Sequence, residues 1–261
     1  MPGAVGAAVV RPPGARRHRF RPPRDMIDGD GRPAARDGAR EHRRIPAMPK
    51  FAEELLLLLL DNDGKSAAVP NLSLSYALAG GVLMDLALEN RIDTDLETLV
   101  LVDDTPVGDP LLDETLAEIA ATDPRDARFW VEHTAARGET IRERTLASLV
   151  EQGVLEARDV RVLWLFRSRR YPARDQTAKN AVKLRIMEVL FSEEIPHPRD
   201  VVIICLADTC GIFKQLLSKR ELGEAAARID QVRQLDLIGQ AVSGAMRDIE
   251  MSLAAALHPY V

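Results

Sequence analysis

The sequence of 261 residues is poor in rings, with 4% aromatic residues, and it contains only two cysteines. Each shortage excludes something. With so few aromatics the core has to be assembled from Leu, Val, Ile and Ala. Leu and Ala favour helices over strands, so a mainly α fold is expected rather than an aromatic-rich sandwich. Cys205 and Cys210 lie in one apolar run. Two cysteines cannot build a disulfide framework or a four-ligand zinc site, and they read as reduced, buried thiols suited to the cytoplasm. Long hydrophobic runs are missing as well. Residues 55–60, all leucine, fall far short of the ~20 residues a spanning helix needs. The apolar stretch 4–10 precedes its arginines instead of following them, unlike a secretory signal. Membrane contact is therefore expected to be peripheral, at the inner face.

No single sign of charge dominates, the net value being -5, but the distribution is uneven. Residues 1–50 carry 12 Lys and Arg against 5 Asp and Glu, and residues 51–261 carry 23 against 35. An acidic body is a poor general partner for nucleic acid. The basic segment 1–47 is rich in Pro, Gly and Arg and has no apolar period, so it reads as a disordered arm ahead of a domain over 48–261. Two explanations stand for it: an electrostatic tether, or a start placed too early, with translation beginning at Met48.

Helical signals fill most of the rest. Residues 53–60 are apolar all round after the first turn and belong in the middle of a fold. A second helix is expected over 72–89. Its Gly80-Gly81 pair points to a close backbone approach or, alternatively, a ligand. Short strands are expected near 91–93 and 99–102. Asp109-Pro110 has the chemistry of a helix start. An amphipathic helix over 139–152 ends at Gly153. A strand over 160–166 then leads through the basic turn 167–170 to Tyr171-Pro172, as a hairpin. Helices are expected over 175–191, 199–210, 221–236 and 237–258.

Catalytic signatures are missing. The five histidines, His18, His42, His133, His197 and His258, have no ligand spacing, and no GxSxG, P-loop or strand-borne GxGxxG occurs. Asp103, Asp104, Asp109, Asp113 and Glu114 form an acidic cluster, for which capping of the Asp109 helix is a sufficient account. The chain is expected to be non-catalytic, with no cofactor. The basic residues say more. Arg142 and Arg144 lie on the 139–152 helix, and Arg161, Arg167, Arg169 and Arg170 lie on the hairpin with Trp164 and Phe166 between them. Converging, they would form a positive face for anionic lipid headgroups, with aromatic residues suited to the headgroup layer. Scattered, they would be solvated or paired with Glu139, Glu143 and Glu151. A helix, strand and basic turn in this order also reads as a winged helix, the DNA-binding alternative.

The segments Phe51-Ala52-Glu53-Glu54-Leu55, Ala87-Leu88-Glu89-Asn90-Arg91-Ile92, Thr105-Pro106-Val107-Gly108-Asp109-Pro110-Leu111-Leu112 and Ile141-Arg142-Glu143-Arg144 resemble the Golgi phosphoprotein 3 family, also present in bacteria. The resemblance runs from about residue 51 to the C-terminus. It implies a helical bundle ringed by amphipathic helices with a projecting β-hairpin. It also implies a non-catalytic peripheral membrane protein that binds phosphatidylinositol 4-phosphate and, in eukaryotes, the tails of Golgi glycosyltransferases. Self-association through the hairpin is a further expectation. Of the four headgroup-pocket positions of the family, the tryptophan falls on Pro70, the arginine of the second helix on Ala79 and the first of two paired arginines on Glu139. Only Arg142 remains. One arginine supplies too few charge-assisted contacts for selectivity, so weaker attraction to anionic headgroups is expected.

Overall fold

The computed structural model describes residues 49–94, 98–162, 166–174 and 176–235, with Gly244, Asp248 and Met251; for 160–162 and 166–168 the backbone alone is described. Among the described residues there are nine α-helices and two antiparallel two-stranded sheets. The fold is mainly α, with a β-hairpin, as the composition and the resemblance led us to expect.

Helix α1 (Phe51–Leu59) is wholly buried. Its leucine run leaves no face that water can solvate, so it can be satisfied only in the interior. It packs on α2 (Asn71–Leu88), α5 (Gly138–Glu151), α6 (Gln176–Leu190) and α7 (Pro198–Thr209). By length and composition α2 is apolar enough to cross a membrane. Its surroundings account for that composition: residues 76–86 are all buried, against α1, α5, α7, α3 (Pro110–Ala120) and α4 (Ala127–Ala135). A Cβ on Gly81 would lie 3.2 Å from the backbone nitrogen of Ala52 and from Phe51 Cβ. Gly81 thus marks close packing of α1 on α2. Few as they are, aromatics still contribute to the core: Trp130, Phe51 and Phe213 are among its largest fully buried side chains, and Cys205 and Cys210 are buried thiols.

The local chemistry of the chain explains most element ends. Asp109 accepts from the amides of Leu111 and Leu112 at 2.8 and 3.0 Å, with Pro110 in the first turn of α3. Asp126 starts α4 by accepting from Phe129 N. Strands β1 (Ile92–Thr94) and β2 (Leu99–Leu101) pair antiparallel. A short α8 (Phe213–Leu216) precedes α9 (Lys219–Val232), which opens with a Ser218–Glu221 capping box. The helix expected over 237–258 lies outside the described residues apart from Gly244, Asp248 and Met251, which are helical. The arm 1–47 lies outside them too.

One expectation needs correction. Strands β3 (Arg158–Val162) and β4 (Phe166–Arg170) pair with Val162 opposite Phe166 and Arg158 opposite Arg170. Arg167, Arg169 and Arg170 therefore belong to the second strand instead of forming a basic turn. Residues 160–166 hold no Gly, Pro, Asn or Asp, so the sequence offers no turn signal ahead of the basic residues.

Burying α1 also buries two carboxylates. Glu54 is fully enclosed. Arg185 Nη2 donates to its Oε2 at 2.7 Å and Arg199 Nε to its Oε1 at 3.3 Å. Arg185 Nε in turn lies 2.5 Å from Asp200 Oδ1. The Arg199 guanidinium sits 4.2 Å from the centre of the Phe51 ring and donates to the Pro49 carbonyl. Glu53 accepts from Lys50 N at 2.9 Å, Ser148 Oγ at 3.1 Å and Gln152 Nε2 at 2.7 Å. Both acids stand in the first turn of α1, where the helix dipole favours negative charge. Glu54→Ala strips a buried pair of its anion, and a loss of about 3–5 kcal/mol is expected. Urea unfolding measures it, and a loss under about 1 kcal/mol would show that the arginines find full compensation elsewhere.

Candidate functional site

Two concave regions flank α5, and the helical period assigns its arginines between them. Residues two apart on a helix point about 200° apart, so Arg142 and Arg144 face different ways.

On the Arg142 side, the chain leaves α5 through Gly153, at φ 75°, and enters the ribbon. The base of the ribbon is fixed by Glu156 N donating to Pro172 O at 2.9 Å and by the Leu155–Ala173 bridge. Tyr171 N donates to Gly64 O at 2.9 Å, tying the ribbon to the α1–α2 turn. Gly64 has φ 73°, and a Cβ there would overlap the backbone of Tyr171 and Pro172. This clamp creates a cleft of about 40 Å³ where Arg142, Arg169, Tyr171, Ser66 and Gly64 meet above Leu56. The nearest carboxylate to Arg142 is Glu139, at 3.9 Å, and Arg142 Nε is buried without a hydrogen-bond partner. Arg169 is held more firmly charged by its hydrogen bond with Tyr171 and then by Asp159, 3.5 Å away.

The expected convergence is therefore partial. Arg142 and Arg169 come together. Arg144 does not join them: it points to the opposite side of α5 and pairs with Glu114, whose carboxyl is held below its ordinary value by that hydrogen bond and by Arg137. Arg170 stands beyond the cleft, opposite Arg158 and partly exposed. The backbones of Arg161, Phe166 and Arg167 are placed in the ribbon, their side chains lie outside the description, and Trp164 lies outside the described residues. Of the family's pocket positions only Arg142 lines this cleft. Pro70 precedes α2, Ala79 is fully buried and Glu139 is exposed. Sequence reasoning missed Tyr171 and Ser66, which reach the cleft only through the Gly64 clamp.

The acidic cluster is occupied structurally. Asp109 caps α3, and Asp113 accepts from Val107 N at 2.7 Å and Gly108 N at 3.1 Å. Asp103 accepts from Thr105 and pairs with Arg91 at 3.0 Å. His133 lies 3.4 Å from Glu118 and stacks on Phe129. Among the described residues no group of three or more His, Cys, Asp and Glu side chains can hold a metal ion.

On the Arg144 side, a larger cavity of about 280 Å³ opens between the start of α1, α2, the start of α3 and α5. Asp85 lies in its wall, with Oδ2 accepting from Phe51 N at 3.0 Å and Oδ1 at 3.8 Å from Arg199. Burial pushes its pKa up to about 7, against the pull of Arg199, the Phe51 amide and Lys50.

With this geometry in hand, sequence comparison places the chain in a class. Residues 51–250 match the family described as Golgi phosphoprotein 3 (GPP34), and the chain belongs to that family. Among its relatives, the vacuolar protein sorting-associated protein 74 of Eremothecium gossypii is 29% identical over 230 residues, covering 72% of this chain and 68% of its own. The protein of the same name from Schizosaccharomyces pombe is 29% identical over 178 residues, which cover 59% of this chain and about half, 52%, of that relative.

Two outcomes are expected. Gly64→Ala combines a left-handed backbone with a steric clash against Tyr171 and Pro172, and should cost about 1–3 kcal/mol; an unchanged melting temperature would mean that the clamp is loose. The second concerns Asp85. The folded protein keeps the Asp85 proton up to about pH 7, whereas the ordinary value is 3.8. The native state thus binds more protons than the unfolded chain in that window, and the stability it confers at low pH is lost as pH rises. Asp85→Asn should remove a decline of a few kcal/mol between about pH 4 and pH 7. Parallel stability profiles of the two proteins would show that Asp85 is charged in the fold.

Proposed function

We propose that this chain is a peripheral membrane protein that attaches to anionic, phosphate-bearing lipid headgroups at the Arg142–Arg169 cleft. One observation carries the reading: Arg142 of α5 and Arg169 of the ribbon that follows it share a cleft with a tyrosine and a serine, and the carboxylate nearest Arg142 stands at 3.9 Å. Arg142, without a tight intramolecular partner, retains donors for phosphate oxygens, and Arg169 adds positive charge beside it. The family implies phosphatidylinositol 4-phosphate. With Pro70, Ala79 and Glu139 at three of the pocket positions, preference for that headgroup over other anionic lipids is weak, and charge density governs attachment. The names of the fungal relatives attach those proteins to vacuolar protein sorting.

The DNA-binding reading has less support. The basic residues lie along β4 and not in a wing turn, and α5 exposes Glu139, Glu143 and Glu151, which would repel phosphate in a groove.

Sedimentation with vesicles tests the proposal. Vesicles containing phosphatidylserine or phosphatidylinositol 4-phosphate should pellet the protein, and neutral phosphatidylcholine vesicles should not. Arg142→Ala and Arg169→Ala should each weaken attachment roughly five-fold, whereas Arg144→Ala should leave it nearly unchanged. Equal pelleting on charged and neutral vesicles would refute the reading.

A further inference from the structure

We propose that the cavity beside Asp85 is a second binding site that takes a primary alkylammonium group, its cationic head on Asp85 and its short aliphatic stem along Val82, Leu112 and Ala147. This site is independent of the headgroup cleft, from which α5 separates it.

The cavity has room for a small organic ligand, at about 280 Å³, and its walls are mostly apolar. Small apolar pockets with one or two placed polar groups are the usual form of a ligand site. The polar group here is Asp85, whose side chain is 7% exposed. Its Oδ2 is committed to Phe51 N, while Oδ1 accepts no hydrogen bond, the nearest cation being Arg199 at 3.8 Å. A charge-assisted donor reaching Oδ1 from the cavity would add to that single 3.8 Å ion pair.

The other charges around the cavity select the sign of the ligand. Lys50, just before α1, is tied to Asp109, and Arg144 on α5 is tied to Glu114. Glu53 is saturated by Lys50 N, Ser148 and Gln152, and Glu54 is taken up by Arg185 and Arg199. Glu151 stands exposed at the rim. An anion would meet Asp85, Glu53 and Glu151 while the nearby cations are already neutralised. A hard metal ion needs six or more oxygens and would find apolar carbon instead. An ammonium supplies a donor and a compensating charge for the carboxylate, and the apolar walls accept its stem.

Such a ligand displaces a proton. Burial keeps Asp85 protonated to about pH 7 in the empty cavity, and the arriving cation favours the carboxylate. Binding therefore releases a proton and tightens as pH rises. A free amine and a lysine side chain on a partner polypeptide share this chemistry.

Calorimetry on the full-length protein with n-pentylammonium, n-pentanol and N-acetyl-lysine methylamide tests the inference. The ammonium should saturate, bind roughly 30-fold tighter at pH 8 than at pH 5.5, and give heats that depend on the buffer in the sense of proton release. Asp85→Asn, which keeps the acceptor for Phe51, should lose binding while still melting cooperatively. Ala147→Phe fills the exposed mouth without touching the carboxyl and should block binding too. Tighter binding of the lysine amide identifies a polypeptide source; tighter binding of pentylammonium identifies a small amine. Equal affinity for pentanol and pentylammonium, no saturable heat at either pH, or undiminished binding by either variant would overturn the site.

Discussion

The fold depends on keeping Glu54 ionically satisfied inside a leucine helix. A carboxylate with no solvent exposure is tolerable only with cationic donors held against it, and Arg185 and Arg199 come from two different helices to supply them. That requirement sets where α6 and α7 pack on α1. It also fixes Arg199, which then lies over Phe51 and reaches toward Asp85. The hydrophobic effect explains why α1 is central, since it buries leucine on every side. It does not choose among the ways of wrapping helices around such a rod. The charges narrow that choice, because Glu54 needs Arg185 of α6 and Arg199 of α7 beside it.

Much of this architecture could be read in the chain, for identifiable reasons. Residues 55–60 announced a central helix, Asp109-Pro110 announced a capped one, and both expectations match the structure because each rests on local chemistry. The Ser218–Glu221 capping box was equally visible as S-x-x-E and was passed over. A hairpin was expected in this region, but the basic residues expected in its turn lie in its second strand, since no turn residue stands ahead of them to mark the strand ends. The partners of Glu54 stand 131 and 145 residues away. No pattern in a single sequence links such positions.

The site was legible in half. That Arg142 stands at a pocket position of the family follows from its motif, and that Arg144 faces away follows from helical geometry alone. The contributions of Tyr171, Ser66 and Arg169 come from a backbone clamp between segments about a hundred residues apart, which sequence spacing cannot express. The cavity beside Asp85 was hidden for a related reason. An aspartate within an apolar helix reads as a packing anomaly until the amide it receives and the space beside it are seen.

The base of the ribbon is held where Tyr171 meets Gly64 and where residues 154–156 meet 172–174. Adding residues in matched pairs to β3 and β4 would carry its tip outward by about 3.4 Å per pair and leave that junction as it is. Reach above the surface and recognition at the surface are thus separate variables in this architecture. Evolution can lengthen the one without retuning the other.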